Sequence, residues 1–288
     1  MATARTLPLP HDIVHMLIDQ LGDRKVDLAS CSLVCRDWLQ PCRSHLFRSL
    51  NVYSTHADGD FSAFIEFLAS PGGQCIGRSV RRLSLQDGGP DRPRMPLRLL
   101  ADILCSWLPS LQELEFRRVK FERDDVDPAS VGTGSRLTIG KLVFHCDAHW
   151  QFEHFSDTLN VLHLFSDISQ LEFWEGPLLW SAPADVLKDL RWSGPTKVQS
   201  LALVDFPGEW SPIILQAITQ SGSLDGALDT LTIGSQGDVD EIEPLLPSLQ
   251  AVAPCIRRLR LNPIIHNIHI SLGFGAFITC RIPPDVCD

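Results

Sequence analysis

The feature that constrains the fold most is a short apolar pattern that recurs along the chain at nearly constant spacing. Each copy begins with an apolar residue and two residues that are mostly polar or small. A leucine, one spacer and a further apolar residue follow. Successive central leucines lie 28 to 31 positions apart; they are Leu83, Leu114, Leu142, Leu171, Leu201, Leu231 and Leu259. A regular period of this size is the signature of a solenoid. Two further matches, centred on Leu162 and Leu190, fall outside the period, so the spacing carries the prediction.

Each copy of the pattern predicts a short strand with two faces. Its last two apolar residues are separated by one spacer, so both point into one core, and the interval to the next copy leaves room for a crossover helix. The central leucines are therefore expected in equivalent places of neighbouring strands. Outward positions near the end of the repeat include Arg258 and Arg260. In the middle strands, those with charges or rings are Glu115, Arg117, His145, Glu172 and Trp174. These five residues are the predicted binding surface, since large aromatics concentrate interface energy, although Trp174 equally fits a ring folded under a loop.

The first fifty residues have a different pattern, which predicts three short amphipathic helices. Apolar residues recur at spacings of three and four from Ile13 to Leu21, after Pro10 at a first helical turn, and Gly22 ends the run. A second helix is expected from Lys25 and a third over residues 32–47. Helices this short bury little surface, so we expect a partner to cover their remaining apolar side chains.

The same residues carry a resemblance to a known family. They are Leu9-Pro10-His11-Asp12-Ile13-Val14, Leu17, Leu21, Leu28, Cys31, Val34-Cys35-Arg36-Asp37-Trp38 and Leu46-Phe47-Arg48. This pattern closely resembles the F-box motif over residues 7–52, with Asp12 where that family usually has glutamate. The resemblance implies insertion into a Skp-type adaptor, and through it contact with a cullin. The residues to which it assigns that role are Leu9, Pro10, Ile13, Leu17, Val34 and Trp38. The alternative is a small helical core that has no partner.

Together, the resemblance and the repeat predict the fold and its segments. The fold class expected is α+β or α/β, with an N-terminal three-helix F-box followed by an irregular leucine-rich-repeat-like solenoid. The segments are the F-box at 7–52, a linker and coupling helix at 53–78, a substrate-binding region at 79–262 and an irregular tail at 263–288. Residues 79–262 resemble the leucine-rich-repeat half of F-box proteins, although the consensus asparagine is missing at most turns.

Composition excludes several classes of partner and location. The net charge of −10 argues against nucleic acid, because phosphate neutralisation needs a basic face. The most apolar tail segment, residues 268–282, is interrupted by polar residues and falls short of the ~20 needed to span a bilayer. The nine cysteines are scattered and odd in number, as in a reduced intracellular protein, and no secretion signal is visible. We therefore expect a soluble protein of the cytoplasm or nucleus.

Candidate metal sites and catalytic motifs are weak. The cluster of His145, Cys146, Asp147, His149 and His154 offers five potential metal ligands, but it lacks a paired Cys-x-x-Cys or a His-Glu-x-x-His helix. Cys31 and Cys35 also have metal-ligand spacing, but on one helix face. Residues 134–141 do not complete a Walker motif, and no Gly-x-Ser-x-Gly elbow occurs. We expect no metal, no cofactor and no catalysis.

The resemblance to the F-box family thus implies the substrate-recognition subunit of a Skp-cullin-F-box ubiquitin ligase. Such a subunit raises the effective concentration of a bound protein near a ubiquitin-charged enzyme. One alternative is an interaction scaffold that binds the adaptor outside any ligase. Another is a metal-dependent hydrolase centred on residues 145–154.

Overall fold

The structure is a computed structural model that describes most of the N-terminal half and the strands of the C-terminal half. The described residues are 9–22, 24–54, 61–86, 94–122, 137–145, 158–174, 196–204, 215, 228–234, 246–253, 256–261 and 277–280. Within these ranges, no helix combines the length and the apolar character needed to cross a membrane.

Helices lie before and between the strands. They are α1 (His11–Leu21), α2 (Lys25–Ser32), α3 (Arg36–Leu46), α4 (Ser62–Ala69), α5 (Pro71–Gly77), α6 (Leu97–Asp102) and α7 (Leu246–Val252). A π-helical turn, Ile103–Trp107, continues α6, and a 3₁₀ turn spans Leu162–Leu164. Pro71 is the first residue of α5, where its missing N–H removes no hydrogen bond, and Ser70 caps that helix by accepting from the Gly73 N–H at 3.1 Å.

Eleven strands are described. They are β1 (Ser49–Tyr53), β2 (Arg82–Gln86), β3 (Arg94–Pro96), β4 (Glu113–Arg117), β5 (Lys120–Glu122), β6 (Leu137–His145), β7 (Phe165–Trp174), β8 (Lys197–Val204), β9 (Thr230–Gly234), β10 (Arg258–Leu261) and β11 (Phe277–Cys280). Nine of them form one sheet in the order β1-β2-β4-β6-β7-β8-β9-β10-β11, and every pair in it is parallel. Strands β3 and β5 form a separate parallel pair.

The main core lies on one face of the nine-stranded sheet. The seven central leucines pair with one another in register from β2 to β10, and each is at most 1% exposed. Their predicted placement is confirmed. Two residues after these leucines, on the same face, Phe116, Phe144 and Phe173 stack with ring centroids 5.4 Å apart. Side chains of α4 and α6, including Leu68 and Leu100, complete the same buried cluster.

The predicted fold class was wrong. The described residues have an α/β arrangement around one parallel sheet, not a three-helix F-box followed by a leucine-rich-repeat-like solenoid. The repeat length explains the error, because about 30 residues is also the length of a β-α-β unit. The strands of the main sheet vary from 4 to 10 residues, which a uniform repeat does not predict.

The N-terminal helices also differ from an independent bundle. Helices α1 to α3 share a small cluster whose buried residues are Val14, Ile18, Leu28 and Cys42. A core of four side chains is too small to stabilise a separate domain. The predicted segment boundaries are not tested by the structure and stay a prediction.

Candidate binding groove on the polar face of the sheet

Parallel pairing aligns the side chains of the second sheet face into three rows. The first row is Ser49, Arg82, Glu113, Lys141 and Gln170; the second is Asn51, Ser84, Glu115, Val143 and Glu172; the third is Tyr53, Gln86, Arg117, His145 and Trp174. Parallel sheets usually have both faces covered by helices. Here Arg82, Glu113 and Arg117 remain substantially exposed on this face, so the first and third rows reach solvent.

The three rows enclose a groove of about 440 Å³. Its lining comes from β1, β2, β4, β6 and β7. The structure brings together all five residues of the predicted binding surface here: Glu115, Arg117, His145, Glu172 and Trp174. Their role in substrate binding is not tested by this placement and stays a prediction.

Glu115 lies at the centre of a charge network in the groove. Its Oε1 accepts a hydrogen bond from His145 Nε2 at 2.7 Å and from Arg117 Nε at 2.7 Å, and Arg117 Nη2 lies 2.7 Å from the same oxygen. The His145 hydrogen bond lowers the pKa of Glu115 most; partial burial opposes the shift, and Arg117 adds a hydrogen bond and its charge. The pKa of Glu115 falls to about 2, so the carboxylate stays ionised at neutral pH.

This lowered pKa gives a pH-dependent stability difference. A carboxylate with a depressed folded-state pKa contributes stability above its unfolded pKa, about 4.3 for glutamate. That contribution is lost as the pH falls towards about 2. We expect the unfolding free energies of the wild type and Glu115→Gln to converge by about 1 kcal/mol between about pH 5 and pH 2, allowing for solvent screening of a partly exposed pair.

Urea unfolding of both proteins at several pH values measures this convergence. Because the other carboxylates titrate in both proteins, their contributions cancel in the difference. Parallel pH profiles would contradict the assigned network.

Glu172 is a buried carboxylate on the second row. It is 6% exposed, because the long side chains of the flanking rows cover it. Lys141 Nζ lies 2.9 Å from its Oε1, and Gln170 Nε2 donates to the same oxygen. Trp174 Nε1 donates to Oε2 at 2.9 Å. Burial of this charge is therefore compensated by a cation and two hydrogen-bond donors.

Trp174 lies on the groove, half-buried, next to His145. The two rings stack with centroids 5.9 Å apart and an interplanar angle of 23°. Because the indole N–H is bonded to Glu172, the ring offers its faces and edges rather than a donor. Trp174 is thus held on the groove side of the sheet by both neighbours, and it does not contribute to the main buried cluster.

The sequence prediction omitted the first row of the groove. Arg82, Glu113 and Lys141 line the groove, and Arg82 Nε lies 3.0 Å from Glu113 Oε2. Alternation places the residue just before each central leucine on the same face as the residue just after it. That signal is present in the sequence and could have identified the first row.

The predicted adaptor-binding residues lie on the N-terminal helices and just before them. Leu9, Ile13, Leu17 and Val34 are exposed, with Val34 65% exposed; Pro10 is exposed as well. Trp38 differs, since it is partly buried and packs against the small helical cluster. Five of the six residues are therefore accessible to a partner.

No group of three or more metal-binding side chains comes together within the described residues. His145, the first residue of the predicted histidine-rich cluster, instead pairs with Glu115 at 2.7 Å. The rest of that cluster, residues 146–154, lies outside the described residues.

In comparisons with known proteins, the sequence matches neither a protein-family model nor a curated protein.

Proposed function

We propose that this protein is the substrate-recognition subunit of a Skp-cullin-F-box ubiquitin ligase. The observation that carries the proposal is the concentration of exposed apolar side chains at the N-terminus. Nine large hydrophobic residues are exposed in the described ranges. Two of them are Tyr53 and Phe67, and the other seven are N-terminal: Leu9, Ile13, Met16, Leu17, Val26, Leu33 and Val34. Exposed apolar side chains that gather in one segment, rather than being scattered singly, point to an interaction site. A partner that covers this N-terminal surface removes it from water.

The chemistry of the motif identifies the partner in this proposal. Four of the seven exposed residues, Leu9, Ile13, Leu17 and Val34, are adaptor-binding positions of the F-box-like motif. In this proposal the partner is therefore a Skp-type adaptor that carries a cullin. The small cluster beneath the surface leaves α1 to α3 poorly stabilised by themselves, which is consistent with helices that gain burial from an adaptor. The protein then acts in the cytoplasm or nucleus.

The groove supplies the second half of the proposed function. It lies on the strands and is lined by polar, charged and aromatic side chains. A protein substrate bound there is held near the ubiquitin-charged enzyme, which raises the local concentration of its lysines. This protein contributes recognition, and the chemistry of ubiquitin transfer stays with the enzyme it recruits.

The test is an adaptor-binding experiment with Leu9→Ala/Pro10→Ala. We expect copurification of the Skp-type adaptor and the cullin to fall by more than about tenfold, as for residues at the centre of an interface. The fold should persist, because Leu9 is exposed and the Pro10 carbonyl that accepts from Ile13 and Val14 is retained. Circular dichroism and the thermal midpoint check this.

Phe67→Ala is the matched control, because Phe67 is exposed but lies outside the N-terminal surface. It should leave adaptor binding unchanged. Equal copurification by the double variant and the wild type would refute the proposal. Adaptor without cullin in the wild-type sample would instead indicate the interaction scaffold.

A further inference from the structure

The cations of the groove all face carboxylates. Within the groove lining, Arg82 pairs with Glu113 at 3.0 Å and Arg117 with Glu115 at 2.7 Å. Lys141 pairs with Glu172 at 2.9 Å. An anionic ligand would have to break one of these pairs before it gained a cation of its own. The groove is therefore poorly suited to phosphate or to an acidic peptide.

Glu115 retains an acceptor for a ligand. Its contacts with His145 and Arg117 all involve Oε1. Among the described residues, none donates a hydrogen bond to its Oε2. The carboxylate stays ionised, since its pKa is about 2, and the side chain is 27% exposed. A charged oxygen on a side chain that is largely shielded from water forms stronger hydrogen bonds than one in bulk water.

The rings beside Glu115 favour a positively charged ligand with a long apolar stem. His145 contacts both the carboxylate and the Trp174 ring, so the acceptor and the aromatic stack belong to one site. Aromatic faces attract cations and pack well against the methylene groups of long side chains. Between them, Val143 gives the groove an apolar floor.

We propose that the groove binds one basic side chain, a lysine or an arginine, from an extended segment of the protein substrate. The charged head bonds to Glu115 Oε2, and the stem lies over Val143 towards the Trp174–His145 stack. Glu115 and Trp174 are two strands apart, roughly 10 Å, which an extended basic side chain nearly spans. The net charge of −10 attracts basic segments to the protein. This inference rests on the proposed function, because it names the class of substrate feature that the groove recognises.

Degenerate peptide libraries with one fixed central residue test this inference. The immobilised full-length chain is incubated with libraries whose central residue is arginine, lysine, citrulline, norleucine or glutamate. We expect capture of the arginine and lysine libraries to exceed capture of the citrulline and norleucine libraries by about tenfold, as for charge-assisted hydrogen bonds. Glu115→Gln should abolish that preference, and Trp174→Leu should weaken it.

Glu66→Gln is the matched control, because it also neutralises a carboxylate, but an exposed one on α4 and outside the groove lining. It should retain the preference. Equal losses in both variants would show general attraction to an acidic surface and would overturn the proposal, as would equal capture of all five libraries. A preference for glutamate would overturn it as well.

The assay needs no adaptor, so its failure is separate from failure of the ligase assignment. Glu115→Gln should also leave adaptor copurification unchanged. Library binding without adaptor binding would support the groove and refute the ligase role. Adaptor binding without library preference would support the ligase role and refute basic side-chain binding in the groove.

Discussion

Replacing Phe144 by alanine is expected to lower the free energy of unfolding by about 3–5 kcal/mol. Phe144 is fully buried and stacks between Phe116 and Phe173, with ring centroids 5.4 Å away on either side. The ring of Phe121 meets it edge-on at 6.2 Å. Neighbours held in register on adjacent strands cannot collapse into the space that the ring leaves. Urea unfolding at neutral pH measures the loss.

Val143→Ala is the control for this prediction, because Val143 precedes Phe144 on the same strand but lines the groove. Its truncation removes two methyl groups instead of a whole ring, so we expect a smaller loss than for Phe144→Ala, below about 2 kcal/mol. A larger loss for Val143→Ala than for Phe144→Ala would mean that the two faces of β6 are assigned the wrong way round.

Alternation along the strands explains why the core and much of the groove could be predicted from sequence. Two apolar residues separated by one spacer point to the same face of a strand, and the spacer points to the opposite face. Leu142 and Phe144 are accordingly buried, while Val143 and His145 line the groove. Parallel pairing in register then extends the pattern from strand to strand, which brings Glu115 and Trp174 to one groove although they are 59 positions apart in sequence.

The architecture and the ion pairs could not be predicted in the same way. A period of about 30 residues fits both a solenoid turn and a β-α-β unit, so the spacing did not exclude the α/β sheet. Which cation meets which carboxylate depends on strand register to within one residue. Lys141 therefore reaches Glu172 on the next strand, a pairing that no local pattern in the sequence indicates.

The helical pattern predicted uncovered apolar side chains at the N-terminus but did not by itself specify which residues they are. Ile18 and Leu17 are adjacent apolar residues of one helix, yet Ile18 is buried and Leu17 is exposed. An amphipathic pattern indicates which residues are apolar but does not specify what covers them. The width of the apolar stripe on α1 exceeds what α2 and α3 cover, and this excess is the physical basis of the proposed adaptor surface.

Replacing Gly73 by alanine is expected to destabilise the fold by about 3 kcal/mol or more. Gly73 is buried where α4 turns into α5. A Cβ there would overlap the carbonyl oxygen of Phe67 and lie 2.8 Å from the Cα of Leu68. Both are backbone atoms of α4, so relief requires moving a helix whose Leu68 side chain is fully buried in the main core. Thermal and urea unfolding measure the loss.

Gly72→Ala separates this steric effect from the general effect of changing a glycine in a helix. Gly72 precedes Gly73 in α5 and is exposed. The atom nearest to a Cβ added at Gly72 would be Ser70 Oγ, at 4.0 Å. Alanine there reduces the entropy of the unfolded chain without a clash, so stability should rise by up to about 1 kcal/mol. The two substitutions are chemically identical and one residue apart, so opposite signs can arise only from the close approach of α5 to α4. Similar stabilities for the two variants would mean that the helices are further apart than the structure places them.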